Sequence, residues 1–245
     1  MRRFFIVCAT LLLTTAGLVT PAPAEAGELQ LEIHGSGQHA YDPSFDPFGS
    51  GETPNVFGSA NIGVGYTLDD LIGLDGLAIY GVVGSEGLER RRFNGDFNFR
   101  WGRMLYLAGV EYGYDIGGFF RPFVRATAGV AHQRLELTPP EEVALSESEV
   151  GFATRPSAGI EIHTPYRNPE PDKSSSPLAL ADNFTLGLTL EAGYLWQTHA
   201  DYDQLEEPSS GESVEDDWSR QGVDLGRLNA NGWFWAVGAM MRIRL

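Results

Sequence analysis

The chain has 245 residues, a formal net charge of −16, 42% hydrophobic residues, 30 glycines and a single cysteine, Cys8. So acidic a chain lacks the basic surface that nucleic acid requires, and one cysteine excludes a disulfide framework or a zinc ribbon. Lys173 is the only lysine, so nearly every cation is an arginine, which keeps its charge and can pair bidentately with a carboxylate.

At the N-terminus, Arg2 and Arg3 precede an apolar run from Phe4 to Val19, which Pro21-Ala22-Pro23-Ala24-Glu25-Ala26 follows. A basic start, an apolar centre and an Ala-x-Ala ending are the three parts of a secretory signal. Residues 1–26 therefore read as a cleaved signal peptide and 27–245 as one domain. The threonines at 10, 14, 15 and 20 interrupt the run too often for a retained spanning helix, which needs about 20 apolar residues. Cys8 lies inside the apolar centre, away from any lipoprotein cleavage boundary, and no later segment is long and apolar enough for a helical span.

The remainder alternates with a period of two. Leu29, Leu31, Ile33, Gly35 and Gly37 share one face of a first strand, with Gln30, Glu32, His34, Ser36 and Gln38 on the other. Strands follow near 57–68, 77–86, 103–116, 121–133 and 151–164. Near 77–86 the face is ambiguous, because Leu77, Ile79 and Val83 compete with Ala78, Tyr80 and Val82. The clearest strand carries Phe184, Leu186, Leu188, Leu190, Ala192, Tyr194 and Trp196 in register. The last sets Trp233, Trp235, Val237, Ala239, Met241, Ile243 and Leu245 against Phe234, Ala236, Gly238, Met240, Arg242 and Arg244. Eight such segments predict an all-β fold, an antiparallel up-and-down transmembrane β-barrel of about eight strands. Connectors 41–56, 87–102, 134–150 and 197–232 read as long polar loops on one side, and 69–76 and 117–120 as short turns on the other. Only 165–183, with prolines at 165, 169, 171 and 177, is long where a short turn is expected.

Period two alone does not separate a membrane barrel from a soluble one. The polar face decides it, being read as mostly Gly, Ser, Thr, Asn and Ala, which suits a narrow lumen better than a solvent face. The apolar face then points outward, where only lipid tolerates so continuous a belt. Tyr66, Tyr112, Tyr114 and Phe184 fall at one end of that belt and Trp196, Trp233 and Trp235 at the other, as two interfacial girdles require.

Over its mature length the chain resembles the OmpA-like outer-membrane β-barrel family, a likeness carried by Gly63-Val64-Gly65-Tyr66, Arg121-Pro122-Phe123-Val124, Ser157-Ala158-Gly159-Ile160-Glu161 and the terminal Arg242-Ile243-Arg244-Leu245. The resemblance implies a Gram-negative outer-membrane location, delivery by the outer-membrane assembly machinery, contact with outer-membrane lipid and lipopolysaccharide, and a monomer. Leu245 departs from the family's usual aromatic final residue.

Lumen-facing parity is shared by Glu32, Glu111, Glu161 and Glu191 and by Arg121, Arg125, Arg155, Arg242 and Arg244. Unpaired charges in a narrow barrel are costly, so these are expected to form Arg–carboxylate pairs that plug the lumen. His34 and His163 share their face. His39 and His132 face outward near the rim, where a lipid A deacylase would place its base, but Arg134 stands where that motif supplies a serine. With no nucleophile and base in evident reach, no catalytic residue, cofactor or metal ligand is expected, and the acidic set of the last long loop, Asp201, Asp203, Glu206, Glu207, Glu212, Glu215, Asp216, Asp217 and Asp224, lacks the spacing of an EF-hand. The basic, aromatic stretch from Arg90 to Trp101 is expected to meet that acidic segment or anionic headgroups. The leading expectation is a closed barrel with a structural or surface-interaction role; a small ion channel, a lipid A-modifying enzyme and a soluble ligand-binding barrel are the alternatives.

Overall fold

The computed structural model describes residues 27–40, 55–68, 76–92, 97–138, 144–164, 184–202, 205 and 226–244. The signal segment, the connector 165–183 and the acidic stretch 206–225 lie outside them. Ten strands are present among the described residues: β1 (Glu28–Ala40), β2 (Asn55–Thr67), β3 (Leu77–Arg92), β4 (Phe97–Gly113), β5 (Phe120–Thr138), β6 (Leu145–His163), β7 (Phe184–Gln197), β8 (Ala200–Tyr202), β9 (Gly226–Leu228) and β10 (Gly232–Arg244). Eight of them close into a barrel in the order β1-β10-β7-β6-β5-β4-β3-β2, while β8 and β9 form a separate two-stranded sheet.

Every barrel pair is antiparallel, and closure runs from Glu28 opposite Arg244 to Ala40 opposite Gly232. Pro156 has no N–H to give to a ladder, and the pairing of β6 with β7 is interrupted between Thr154 and Ser157. Between β4 and β5 the chain reverses through Gly117 and Gly118, both with positive φ, which suits residues without a Cβ. That turn is closed by Ile116 N–H donating to the Phe120 carbonyl at 2.7 Å and Gly118 N–H to the Asp115 carboxylate at 2.9 Å.

The ambiguity in β3 is resolved by its neighbours. Tyr80 and Ala78 are buried inside and Ile79 is 55% exposed outside, so Leu77, Ile79 and Val83 take the outer face. Apolar residues stand on both sides of this strand because the lumen is itself partly apolar. This corrects the expectation of an interior built mainly from small and polar residues: Trp101, Leu105, Leu107, Phe123, Leu135, Leu195 and Phe234 also point inward and are buried. An eight-stranded barrel is just wide enough for side chains to fill it, and large ones do.

Two expected loops are also corrected. Segments 87–102 and 134–150 are mostly strand, since β3 and β4 remain paired up to Arg92 opposite Phe97, and β5 and β6 up to Leu137 opposite Leu145. Inward Phe99, Trp101 and Leu135 bury against one another at that level, so the ladder continues past the apolar belt. The outward arginines Arg100 and Arg134 masked this alternation in the sequence. At about 3.4 Å per residue and a tilt of about 40°, the 19 residues of β5 rise roughly 50 Å, twice the height of a lipid-facing belt of about 25 Å. The 13 residues of β1 and β10 rise far less. One side of the barrel therefore stands as a tall wall at the rim distal to the termini, and β8 and β9 pack against it.

Candidate functional site

Inward residues stack in layers along the barrel axis, and β4 gives their order: Glu111 near the terminal rim, then Leu107 and Leu105, then Arg103, then Trp101 and Phe99. Glu111 lies in a layer of charge that unites eight of the nine sequence-selected residues. Arg121 donates to Glu111 at 2.6 Å and to Glu161 at 3.1 Å. Arg125 donates to Glu111 through Nε at 2.9 Å, to both oxygens of Glu32 at 3.0 and 3.2 Å, and to Glu191 at 3.2 Å. Arg242 donates to Glu161 at 2.5 Å, and Arg155 reaches Glu191 at 3.5 Å while its guanidinium lies 4.0 Å over the Phe234 ring. Four carboxylates meet four guanidinium groups, all nearly inaccessible to solvent. Arg244 is not among them. The last residues of β10 emerge at the rim, where its half-exposed side chain lies 3.4 Å from Glu28.

Glycines make this layer possible by opening windows in intervening strands. Tyr80 on β3 reaches over Gly63 on β2 to donate to Glu32 on β1 at 2.6 Å; a Cβ at position 63 would stand 1.8 Å from the Tyr80 oxygen. Arg121 on β5 lies over Gly113 on β4 and donates to the Gly76 carbonyl at 3.3 Å, just ahead of β3. His34 on β1 lies over Gly238 on β10 and meets the Thr189 hydroxyl of β7 at 3.2 Å. In each case a side chain contacts the strand next but one.

A second polar layer escaped the sequence reading. Arg103 bonds to Glu86 and Gln38, donates to Gln197 at 2.5 Å, and lies 5.3 Å over the Trp101 ring. Gln197 in turn donates to Gln133 at 3.0 Å, and Gln38 to the Ala230 carbonyl at 2.5 Å. Lumen parity was available for all of these residues, but Glu86 and Arg103 sat at the ends assigned to two strands, next to a segment read as loop. Above them an apolar roof joins Phe57, Phe99, Trp101 and Leu135 of the barrel to Tyr202, Leu205 and Leu228 of the β8–β9 region. Burial pushes the Tyr202 hydroxyl well above its ordinary pKa. The expected long loop 197–232 thus begins and ends as a cap; Asp201, from its acidic set, pairs at the surface with Arg227 at 2.7 Å.

The chemistry open to these groups is limited by their partners. His34 Nε2 faces Glu32 at 2.9 Å and Thr189 at 3.2 Å. A hydroxyl and a carboxylate compete there for one ring nitrogen, and on the opposite nitrogen Glu191 stands 3.7 Å from Nδ1, beyond hydrogen-bond reach and with that oxygen facing Arg125 and Arg155, so the hydroxyl–imidazole–carboxylate relay is not assembled. Carboxylate oxygens of Glu32, Glu111 and Glu161 lie within 4.8 Å of one another, close enough to share a cation. Arg121, Arg125 and Arg242 already occupy that role. His163 is buried near the terminal rim, 3.4 Å from Asp115, and His132 faces outward and is exposed.

No family model matches the sequence, and no curated protein matches it. Among solved structures the chain is similar to Ail, the attachment invasion locus protein of Yersinia pestis (TM-score 0.46, 11% identity, 90% of this chain and 100% of that one). It is also similar to neisserial surface protein A (0.40, 11%, 89% and 97%) and to the outer membrane protease OmpT of Escherichia coli (0.43, 7%, 93% and 99%). At such identities the likeness is one of barrel architecture.

Proposed function

We propose that the protein is an integral outer-membrane β-barrel of the small, closed-lumen kind, with a structural or surface-interaction role carried by its distal rim. The observation that supports this most is the inversion of its two faces. Ile33, Ile62, Leu188 and Trp235 are between 55 and 67% exposed on the outside, while Glu32, Glu111, Glu161 and Arg121 are at most 2% exposed inside. Lipid is the solvent in which that arrangement is stable.

In this reading residues 1–26 direct export, the assembly machinery inserts the barrel, and both termini lie at the periplasmic rim. Closure of β1 on β10 leaves no barrel edge for a second copy to extend, which favours a monomer. A charge-balanced Arg–Glu layer, the Arg103 layer and the apolar roof stand in series along the axis, so a solute would have to displace all three. For that reason the closed barrel is preferred over an ion channel. The shared His34 nitrogen favours a non-enzymatic role over lipid A modification.

Fractionation combined with a heated-versus-unheated gel shift tests membrane residence: the mature chain should need detergent and change mobility on boiling. In planar bilayers it should give no steady conductance steps. A mature chain that stays in solution without detergent would refute the membrane reading, and reproducible steps would refute the closed lumen.

A further inference from the structure

Resting on the membrane reading above, we infer that the outer wall of β4 and β5 carries a binding site for the phosphate of an outer-leaflet lipid, formed by Arg134 and His132 with Arg100 above them. Alternation puts all three on the same face as Val124 and Val130, the face that meets lipid. Height places them at the headgroups. Val124 pairs with Tyr112 in the girdle toward the terminal rim, and ten strand steps separate Val124 from Arg134. At about 3.4 Å per step and a tilt of about 40°, that is roughly 26 Å along the membrane normal, one hydrocarbon belt away.

The wall is shaped there as well as charged. Arg134 pairs with Gly102, and Gly102 with Gly87, so two adjacent strands offer bare backbone beside the guanidinium. A Cβ at either glycine would find nothing nearer than a backbone oxygen at 3.6 Å or more. The result is a shallow notch with a cation at its side, the imidazole of His132 below, and Ser148 opposite Arg134 on β6. Arg134 is not consumed by its neighbours. Its contacts with Glu136 at 3.8 Å and with the Ser146 hydroxyl at 3.5 Å are long, and its side chain is 55% exposed. Glu136 stands opposite Arg100 in register and moderates the charge two positions higher, which leaves Arg134 as the principal cation at the belt's edge among the described side chains of this wall. On β7 and β10 the corresponding edge carries Trp196, Trp233 and Trp235 instead, so the basic site belongs to one side of the barrel. An arginine offers five donors in a planar fork suited to phosphate oxygens.

The test uses the mature barrel folded into phosphatidylcholine vesicles containing either diphosphoryl lipid A or its dephosphorylated form, with co-purifying lipid counted by native mass spectrometry after detergent release. Wild type should retain the phosphorylated lipid preferentially. R134Q should lower that retention about fivefold and R100Q/R134Q further, whereas R227Q, an exposed arginine of the cap, should not. Equal retention of the two lipids by wild type, or unchanged retention in R100Q/R134Q, would overturn the site while leaving the membrane reading intact. Failure of the wild type to show a heat-dependent gel shift in these vesicles would overturn the membrane reading, and the site with it.

Discussion

Arg125 is the most consequential single side chain in the lumen, and replacing it with methionine gives a worked test of the charge layer. It contacts three of the four carboxylates, and its guanidinium lies 3.6 Å over the Tyr80 ring. After R125M, Glu111 keeps Arg121 and Glu191 keeps Arg155, but Glu32 retains only Gln30, Tyr80 and His34. Removing one partner of a buried ion pair costs about 3–5 kcal/mol because the other charge remains desolvated. Loss of the desolvated cation–π contact adds roughly 1–2 kcal/mol. The expected destabilisation is therefore about 4–7 kcal/mol, read from reversible urea unfolding out of lipid vesicles by tryptophan fluorescence. E32Q/R125M restores charge balance and should recover at least half of that loss, since a neutral replacement of a buried pair is often tolerated. A loss below about 1 kcal/mol for R125M, or a double variant no more stable than R125M, would show that the layer is hydrated and loosely coupled rather than a packed network.

Three further outcomes follow from the geometry. Gly63→Ala should cost about 1–3 kcal/mol by overpacking against Tyr80, and adding Tyr80→Phe should make the combined loss smaller than the sum of the two singles in the same unfolding assay. Trp101→Ala, in the roof, should destabilise by about 3–5 kcal/mol and admit an apolar fluorescent dye at the distal end; unchanged dye binding would mean the roof is not a seal. Because the folded Tyr202 hydroxyl titrates above its unfolded value, the stability it contributes is complete below about pH 10 and is lost as the pH rises through the folded value. Alkaline unfolding should accordingly begin at lower pH in wild type than in Tyr202→Phe.

Much of this barrel was legible in the chain because a period of two assigns each residue a face with no knowledge of the partner strand. Glu32 and Glu161 could be placed together in the lumen from parity alone, although they are 129 positions apart. Three things were hidden. β3 is apolar on both faces, so only its neighbours, through Tyr80 and Glu32, reveal which side is inside. Trp101 and Leu135 lie among outward arginines, and local polarity suggested loop where the ladder continues. Arg244 has lumen parity but stands at the last turn of a strand, where the barrel no longer surrounds it; parity carries no information about height.

The glycine windows have a bearing on assembly. A one-residue slip between neighbouring strands turns every side chain to the wrong face and is strongly disfavoured, but a two-residue slip preserves the faces and costs little in an alternating sequence. Contacts that skip a strand remove that freedom. Moving β2 by two residues in one direction brings Asn61 beneath Tyr80 and closes the window, whereas the other direction substitutes Gly65 and leaves it open; two-residue shifts of β4 or β10 replace Gly113 beneath Arg121, or Gly238 beneath His34, by residues that carry a Cβ in either direction. The windows at Gly113 and Gly238 thus act as keyways against slips in either direction, and the one at Gly63 against slips in one direction. Together the keyways discriminate among closures that differ in shear: those at Gly63 and Gly113 constrain alignments within β1 to β5 before the final seam is formed, and the one at Gly238 checks the register of the seam between β1 and β10 itself.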